Sequence, residues 1–139
     1  MKNERKKAED EHDKVLSIYI RLRDGGVCYC GRHVNNYEDK EGNVKYGWKL
    51  MQCGHLFSRA FDGTRWDDIN CHCTCRQCNE EHERDDRRYK RWFILNYGQD
   101  KYDELQKKSR ERFKPDVEWH FERIEEMKKK IEEIEAMML

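Results

Sequence analysis

Residues 52–82, QCGHLFSRAFDGTRWDDINCHCTCRQCNEEH, hold five of the seven cysteines and three of the six histidines in the chain. Thiolate and imidazole are the ligands that zinc and softer ions prefer. Cys75-x-x-Cys78 has the spacing with which two thiolates reach one ion from a turn, and a helical pattern follows it at once. A second pair, Cys28 and Cys30 in CYCG, lies roughly 45 residues upstream. The two pairs predict one structural zinc on Cys28, Cys30, Cys75 and Cys78. The first pair is one residue tighter than the usual knuckle, and Cys30 with His33 is the alternative ligand set. Cys53, Cys71 and Cys73 read as small buried hydrophobes. An odd number of cysteines, in a chain whose first residues show no apolar signal segment, favours reduced thiols and metal over a disulfide framework. Arg59 and Arg65 follow His55 closely enough to clamp phosphates beside it. Arg87, Arg88 and Arg91, in RDDRRYKR, form either a solvated helix face or a row along DNA whose contribution falls with salt.

Two cysteine knuckles flanking a GH…N…CN..H pattern resemble the HNH nucleases, whose core is the treble-clef, or ββα-metal, fold. Within that group the chain is similar to the phage NinG/Rap recombination nucleases. The likeness rests on Cys30-Gly31, Gly54-His55-Leu56-Phe57, Thr64-Arg65-Trp66-Asp67, Asn70-x-His72, Cys75-x-x-Cys78-Asn79 and Tyr97-Gly98. It runs from about Ile18 to Leu105, and the order and spacing of the motifs are more specific than any one of them. The resemblance implies hydrolysis of phosphodiester bonds in branched DNA, of the Holliday-junction type, during phage recombination in the host cytoplasm. It makes His55 the general base and Asn70 the residue whose amide holds the loop bearing His55. It makes Asn79 and His82, one helical turn apart, ligands of a catalytic Mg²⁺ or Mn²⁺, Asn79 suiting the harder ion. Many HNH proteins carry an aspartate just before the base; here that residue is Gly54, as in the NinG-like pattern. The acidic ligand is thus unassigned, with Asp67 and Asp68 as candidates against a capping or turn role. His72 either lines the site or packs within its strand, and His12, His33 and His120 read as structural or solvated.

The elements that must position these groups are legible in outline, and the fold class they predict is α+β: a small zinc core between helices. Val15, Ile18, Tyr19 and Leu22 recur at helical spacing in a segment of about Ala8 to Arg23 that stops at Gly25–Gly26. Its charged first turns are expected to fray. VCYCGRH reads as a tight turn, NNYEDKEGN as a loop, VKYGWKLMQC as a strand leading to His55, FDGTRWDD as a loop and INCHCTC as a short strand. From about Gln77 a helix is expected, with Tyr89, Trp92, Phe93 and Leu95 on its apolar face; it ends at Gly98, and another runs through Tyr102 and Leu105. Pro115 precedes a last helix in which Val117, His120, Ile124, Met127, Ile131, Ile134 and Met138 fall at a and d positions. That seam either packs on its own domain or joins two chains into a homodimer. The segments are thus 1–25, an N-terminal helix; 26–97, the zinc-stapled core; and 98–139, C-terminal helices.

Composition narrows the classes. Charged residues are 42% of the chain and hydrophobic ones 36%, so the apolar core is thin and a metal or partner has to supplement it. No apolar run is long enough to span a membrane. With 29 basic and 29 acidic residues, nucleic-acid binding by bulk charge is disfavoured, whereas a local basic face is not. Beside the endonuclease, two other readings fit: a non-catalytic zinc module that binds DNA or protein, and an HNH enzyme that nicks other nucleic acid.

Overall fold

A computed structural model describes residues 3–138; Met1, Lys2 and Leu139, at the tips of the two terminal segments, lie outside the described residues. The chain is α+β. Helix α1 (Glu4–Arg23) is followed by a two-residue-per-strand hairpin, β1 (Tyr37–Glu38) with β2 (Val44–Lys45). An antiparallel ribbon, β3 (Gln52–His55) with β4 (Cys71–Thr74), comes next, and four helices follow: α2 (Arg76–Arg84), α3 (Arg87–Tyr97), α4 (Gln99–Ser109) and α5 (Val117–Met137).

The ribbon organises the rest. Its register pairs Cys53 with Cys73, Gly54 with His72 and His55 with Cys71. Because side chains alternate along a strand, Cys53, His55 and Cys71 share one face, and Gln52, Gly54, His72 and Thr74 the other. The first face packs on α1 and α5, where Cys53 and Cys71 join a core with Val15, Leu16, Ile20, Trp66, Ile124 and Met127. On the second, His72 meets Tyr89, Trp92, Phe93 and Tyr97 of α3. Tyr89 and Phe93 are fully buried in a further core with Leu56, Tyr102 and Leu105. Each such side chain contributes about 1.5–3 kcal/mol. With a third cluster of Cys28, Met51, Cys73, Cys75 and Cys78, three small cores among the described residues stand in for one large one.

Helices α1 and α5 run parallel. Arg5 Nη2 donates to the Pro115 carbonyl (3.2 Å), His12 meets His120, and Lys130 lies over the Tyr19 ring. The heptad positions His120, Ile124 and Met127 are buried there, so the seam packs against α1 of its own chain. The first turns of α1 are helical, because Asn3 Oδ1 caps Lys6 N (2.8 Å) and Lys6 pairs with Asp10 four residues on. The His12 and His120 Nδ1 atoms lie 2.9 Å apart, one donating and the other accepting, with both rings sealed among Trp66 and Trp119.

Three local expectations are corrected. The segment expected as one strand before His55 breaks at a 3₁₀ turn over Gly47–Leu50, where Gly47 N–H donates to the Asn36 side chain instead of to a ladder. The expected loop 35–43 contributes to the β1–β2 hairpin, closed by Asp39 Oδ1 accepting from Glu41 N and Asn43 N. The helix expected from Gln77 is two helices, α2 and α3. Asp85 is extended between them and its carboxylate takes Arg87 N–H. Leu95, expected on the apolar face, is 80% exposed, because it lies about 200° round α3 from the buried Phe93.

Candidate functional site

The sulfur box is built from two turns. Gly31 N–H donates to the Cys28 carbonyl and Cys28 N–H to the Arg32 carbonyl (2.8 and 2.9 Å). Gly31 has a φ of +90°, a left-handed conformation that disfavours a side chain. This tight turn lets a C-x-C pair aim both sulfurs one way. Cys75 is the N-cap of α2, its Sγ accepting from Cys78 N–H (3.4 Å), and the helix turn brings Cys78 round beside it. All four Sγ atoms lie within 4.8 Å of one another. The Cys30–Cys75 separation is 3.9 Å, close to the ~3.8 Å that tetrahedral zinc with ~2.3 Å Zn–S bonds requires. The donor set fits a metal such as zinc. Cys28, Cys75 and Cys78 are buried, and Met51 and Cys73 pack against them. Burial pushes the Cys78 thiol up to about 11. For Cys75 burial acts the same way, but the Cys78 N–H and the neighbouring thiols outweigh it and hold this thiol below the usual range. His33, the alternative ligand, is exposed and pairs with Asn35 instead.

The second feature is a groove of about 670 Å³ beside β3. Its lining includes His55 and Cys53 from the strand, Arg59 and Phe61 from the following loop, and Asn79, His82 and Glu83 from α2. His55 Nε2–H donates to the Arg65 carbonyl (3.0 Å), which fixes the tautomer and leaves Nδ1 bare. Burial lowers the His55 pKa from 6.5; the Arg65 carbonyl opposes this and the Arg59 charge adds to it. Asn70 is buried and holds the loop at both ends: Oδ1 accepts from Phe57 N–H (2.8 Å), while Nδ2 donates to the Phe57 and Thr64 carbonyls (2.9 and 3.1 Å). On α2, His82 Nε2–H donates to the Leu56 carbonyl (2.8 Å), leaving its Nδ1 buried and unpartnered. Asn79 Nδ2 donates to Gln52 Oε1 (2.7 Å), so its Oδ1 is the free end.

Gly54 lies between these groups. A Cβ there would sit 2.5 Å from Thr74 Cγ2 and 3.3 Å from Asn79 Oδ1, so an aspartate before His55 could not be housed without displacing Thr74. The strand is pinned from behind by a relay: His72 Nδ1–H donates to the Tyr89 hydroxyl, which donates to the Gly54 carbonyl (2.9 and 2.8 Å).

Several predicted site residues lie elsewhere. His72 is buried, bonded to Tyr89 and Tyr97, with its pKa lowered to about 4 by burial; it buttresses the strand and does not line the groove. Asp67 caps the 3₁₀ turn Asp68–Asn70 and pairs with Lys108 (2.6 Å), and the Asp68 carbonyl accepts from Arg23; neither aspartate faces the groove. Arg65 is engaged by Asp13 (2.6 and 3.2 Å) and stacked on Trp66. Arg87 pairs with Asp85, Arg88 pairs with Glu81 beside the sulfur box, and Arg91 is exposed on α3. Of the five arginines, Arg59 alone lines the groove, with a side chain 61% exposed. Sequence reasoning missed Glu83 and Asp86, the acidic groups that do line it. The available signal was the spacing Asn79–Glu83, four apart on one helical face.

No protein-family model, no curated protein and no solved structure matches this chain.

Proposed function

We propose that this chain is a divalent-metal-dependent endonuclease of the HNH type, acting on phosphodiester bonds in branched DNA, with a treble-clef zinc core and His55 as the general base. The observation that carries the reading is the pairing of His55 with α2 across one groove. An imidazole held by a backbone carbonyl, with Nδ1 bare, faces a helix that offers an amide oxygen, an unpartnered imidazole nitrogen and a carboxylate. Hydrolysis of a phosphodiester needs such a base for water, a cation at the scissile phosphate and donors on the backbone.

In this reading Nδ1 of His55 takes the proton from the attacking water. The Arg65 carbonyl and the Asn70 clamp fix the ring's direction, and Arg59 reaches a phosphate from the loop. Asn79 and Glu83 would supply oxygen, and His82 nitrogen, for Mg²⁺ or Mn²⁺, which when bound would neutralise charge on the phosphate and leaving oxygen. The resemblance to the NinG/Rap nucleases points to recombination intermediates. A four-way junction needs two cuts, so the proposal includes a homodimer. Because the heptad seam packs on α1, that pairing would use another surface.

The test compares wild-type protein with His55→Ala on a labelled four-way junction in Mg²⁺ or Mn²⁺. Cleavage by the wild type alone supports the enzyme. The neutral net charge and the bare Gly54 favour a second reading, a non-catalytic zinc module; binding by both proteins with no cleavage in either metal would establish it.

A further inference from the structure

The proposed chemistry uses His55 alone, yet the ribbon puts two thiols beside it. Cys53 and His55 are two apart on β3 and share its face, and Cys71 lies directly across from His55 in register. One ligand atom from each of the three lies within 4.8 Å of the other two. The His55 Nε2–H bond to the Arg65 carbonyl is the arrangement that metal-bound histidines generally have, with one nitrogen tied to a carbonyl and the other presented to an ion. Two guanidiniums stand nearby: Arg23 donates to the Cys71 carbonyl (2.7 Å), and Arg21 Nη1 donates to the Met51 carbonyl (3.5 Å), two residues before Cys53. They would offset the negative charge that two thiolates add to a site in which Cys53 is half-buried and Cys71 fully buried.

We infer that Cys53, His55 and Cys71 form a second site for a thiophilic divalent ion such as Zn²⁺, and that its occupancy silences His55. The second half of this inference rests on the reading of His55 as the base. Cys53 and His55 line the groove, so the three protein ligands leave a coordination position on the solvent side. That is the pattern of an exchangeable or reactive zinc, unlike the closed sulfur box. Binding replaces two S–H bonds by two S–metal bonds, releases two protons to solvent, and uses the Nδ1 lone pair; no oxidant is involved. Mg²⁺ does not compete for this site, because it prefers oxygen. One groove therefore offers oxygen-rich ligands on α2 for the activating ion and a sulfur-rich wall on the ribbon for an inhibiting one.

The experiment starts from full-length protein carrying one zinc per chain, kept reduced and titrated with Zn²⁺ or Cd²⁺. Native mass spectrometry counts the ions, and cadmium–thiolate absorbance reports sulfur ligation. Wild type takes up a second ion. Cys53→Ser and His55→Gln hold only the first, whose retention shows that each is folded. Cys73→Ser, a neighbour outside the trio, holds both. A wild type that stops at one ion in excess metal overturns the site, and so does a Cys53→Ser protein that still gains the second with undiminished thiolate absorbance. In a separate junction assay with Mg²⁺, added Zn²⁺ lowers the wild-type rate by about 10²-fold or more, whereas Cys53→Ser keeps its own zinc-free rate. A bound second ion with an unchanged wild-type rate overturns the silencing. If no cleavage occurs in Mg²⁺ at all, the nuclease reading fails, and the ion count still decides the site.

Discussion

The two sulfur clusters lie on the same scaffold and differ in the number of ligands they offer. Cys28, Cys30, Cys75 and Cys78 converge from two turns, offer four sulfurs to one ion and are backed by Met51 and Cys73. Cys53, Cys71 and His55 converge from two strands and offer three ligand atoms, with Cys53 and His55 on the wall of the groove. Closure makes the first a staple: any ion in it ties the segment after α1 to the start of α2. Openness makes the second a place where something can arrive. The same contrast separates the histidines. His12 and His120 bond to each other inside a tryptophan cage with both Nε2 atoms sealed, whereas His55 lines the groove with Nε2 tied to the Arg65 carbonyl.

Breaking the closed cluster should have the largest effect. Structural zinc contributes roughly 10–16 kcal/mol in small domains, comparable to or above the ~5–15 kcal/mol net stability of a typical domain. Cys78→Ser, or a strong chelator, is expected to abolish cooperative thermal melting, and a Cys78→Ser protein that melts like the wild type would falsify the staple. At the groove the effect should fall on rate instead. His55→Ala is expected to slow junction cleavage by about 10²–10⁴ and to cost only about 1 kcal/mol of stability, the worth of its bond to the Arg65 carbonyl.

The sealed histidine pair gives the next largest effect, and its sign is set by burial. The His12 pKa is lowered to about 4, by burial first and by His120 second, and that of His120 is lowered chiefly by burial. The unfolded chain takes up these protons near 6.5 and the folded one only well below it. Stability from the pair is therefore complete above pH 6.5 and is lost as pH falls toward about 4, by at most about 3 kcal/mol for His12. Melting temperature followed from pH 7.5 to 4.5 should drop, and the drop should flatten in His12→Phe. An equal slope in both proteins would assign the acid sensitivity to other groups.

What the sequence made legible was local. The knuckle spacing gave the four-sulfur box, the 3.6-residue periodicity gave α1 and α5, and Gly98 gave the end of α3. What it hid was register and rotation. Nothing in CGH and NCHC says that His55 lies opposite Cys71; the ribbon pairing does, and it sets Cys71, packed in the core as expected, beside His55, while Cys53 shares their face by strand alternation. Leu95 looked like a core residue because it is apolar, but it lies two residues from Phe93, about 200° round the same helix, and so faces solvent while Tyr89 and Phe93 are buried. The heptad of α5 was legible as a seam, but an apolar stripe does not name its partner, and α1 takes that place here.

The smallest effects concern the acidic groups, which the sequence placed on the loop and the structure places on the helix. Asp67 accepts from Ile69 N–H and from the half-exposed Lys108 ammonium. Asn can keep the first contact and loses the second, so Asp67→Asn should cost at most about 1 kcal/mol and leave the cleavage rate unchanged. Glu83 is exposed on α2, four residues from Asn79, and lines the groove. Glu83→Gln should therefore shift stability by less than about 0.5 kcal/mol while raising the Mg²⁺ concentration needed for half-maximal cleavage, because a neutral amide holds a hard cation less well than a carboxylate. Melting curves and Mg²⁺ titrations of the two variants check both halves. A rate loss in Asp67→Asn with none in Glu83→Gln would move the activating ion off α2 and back to the loop.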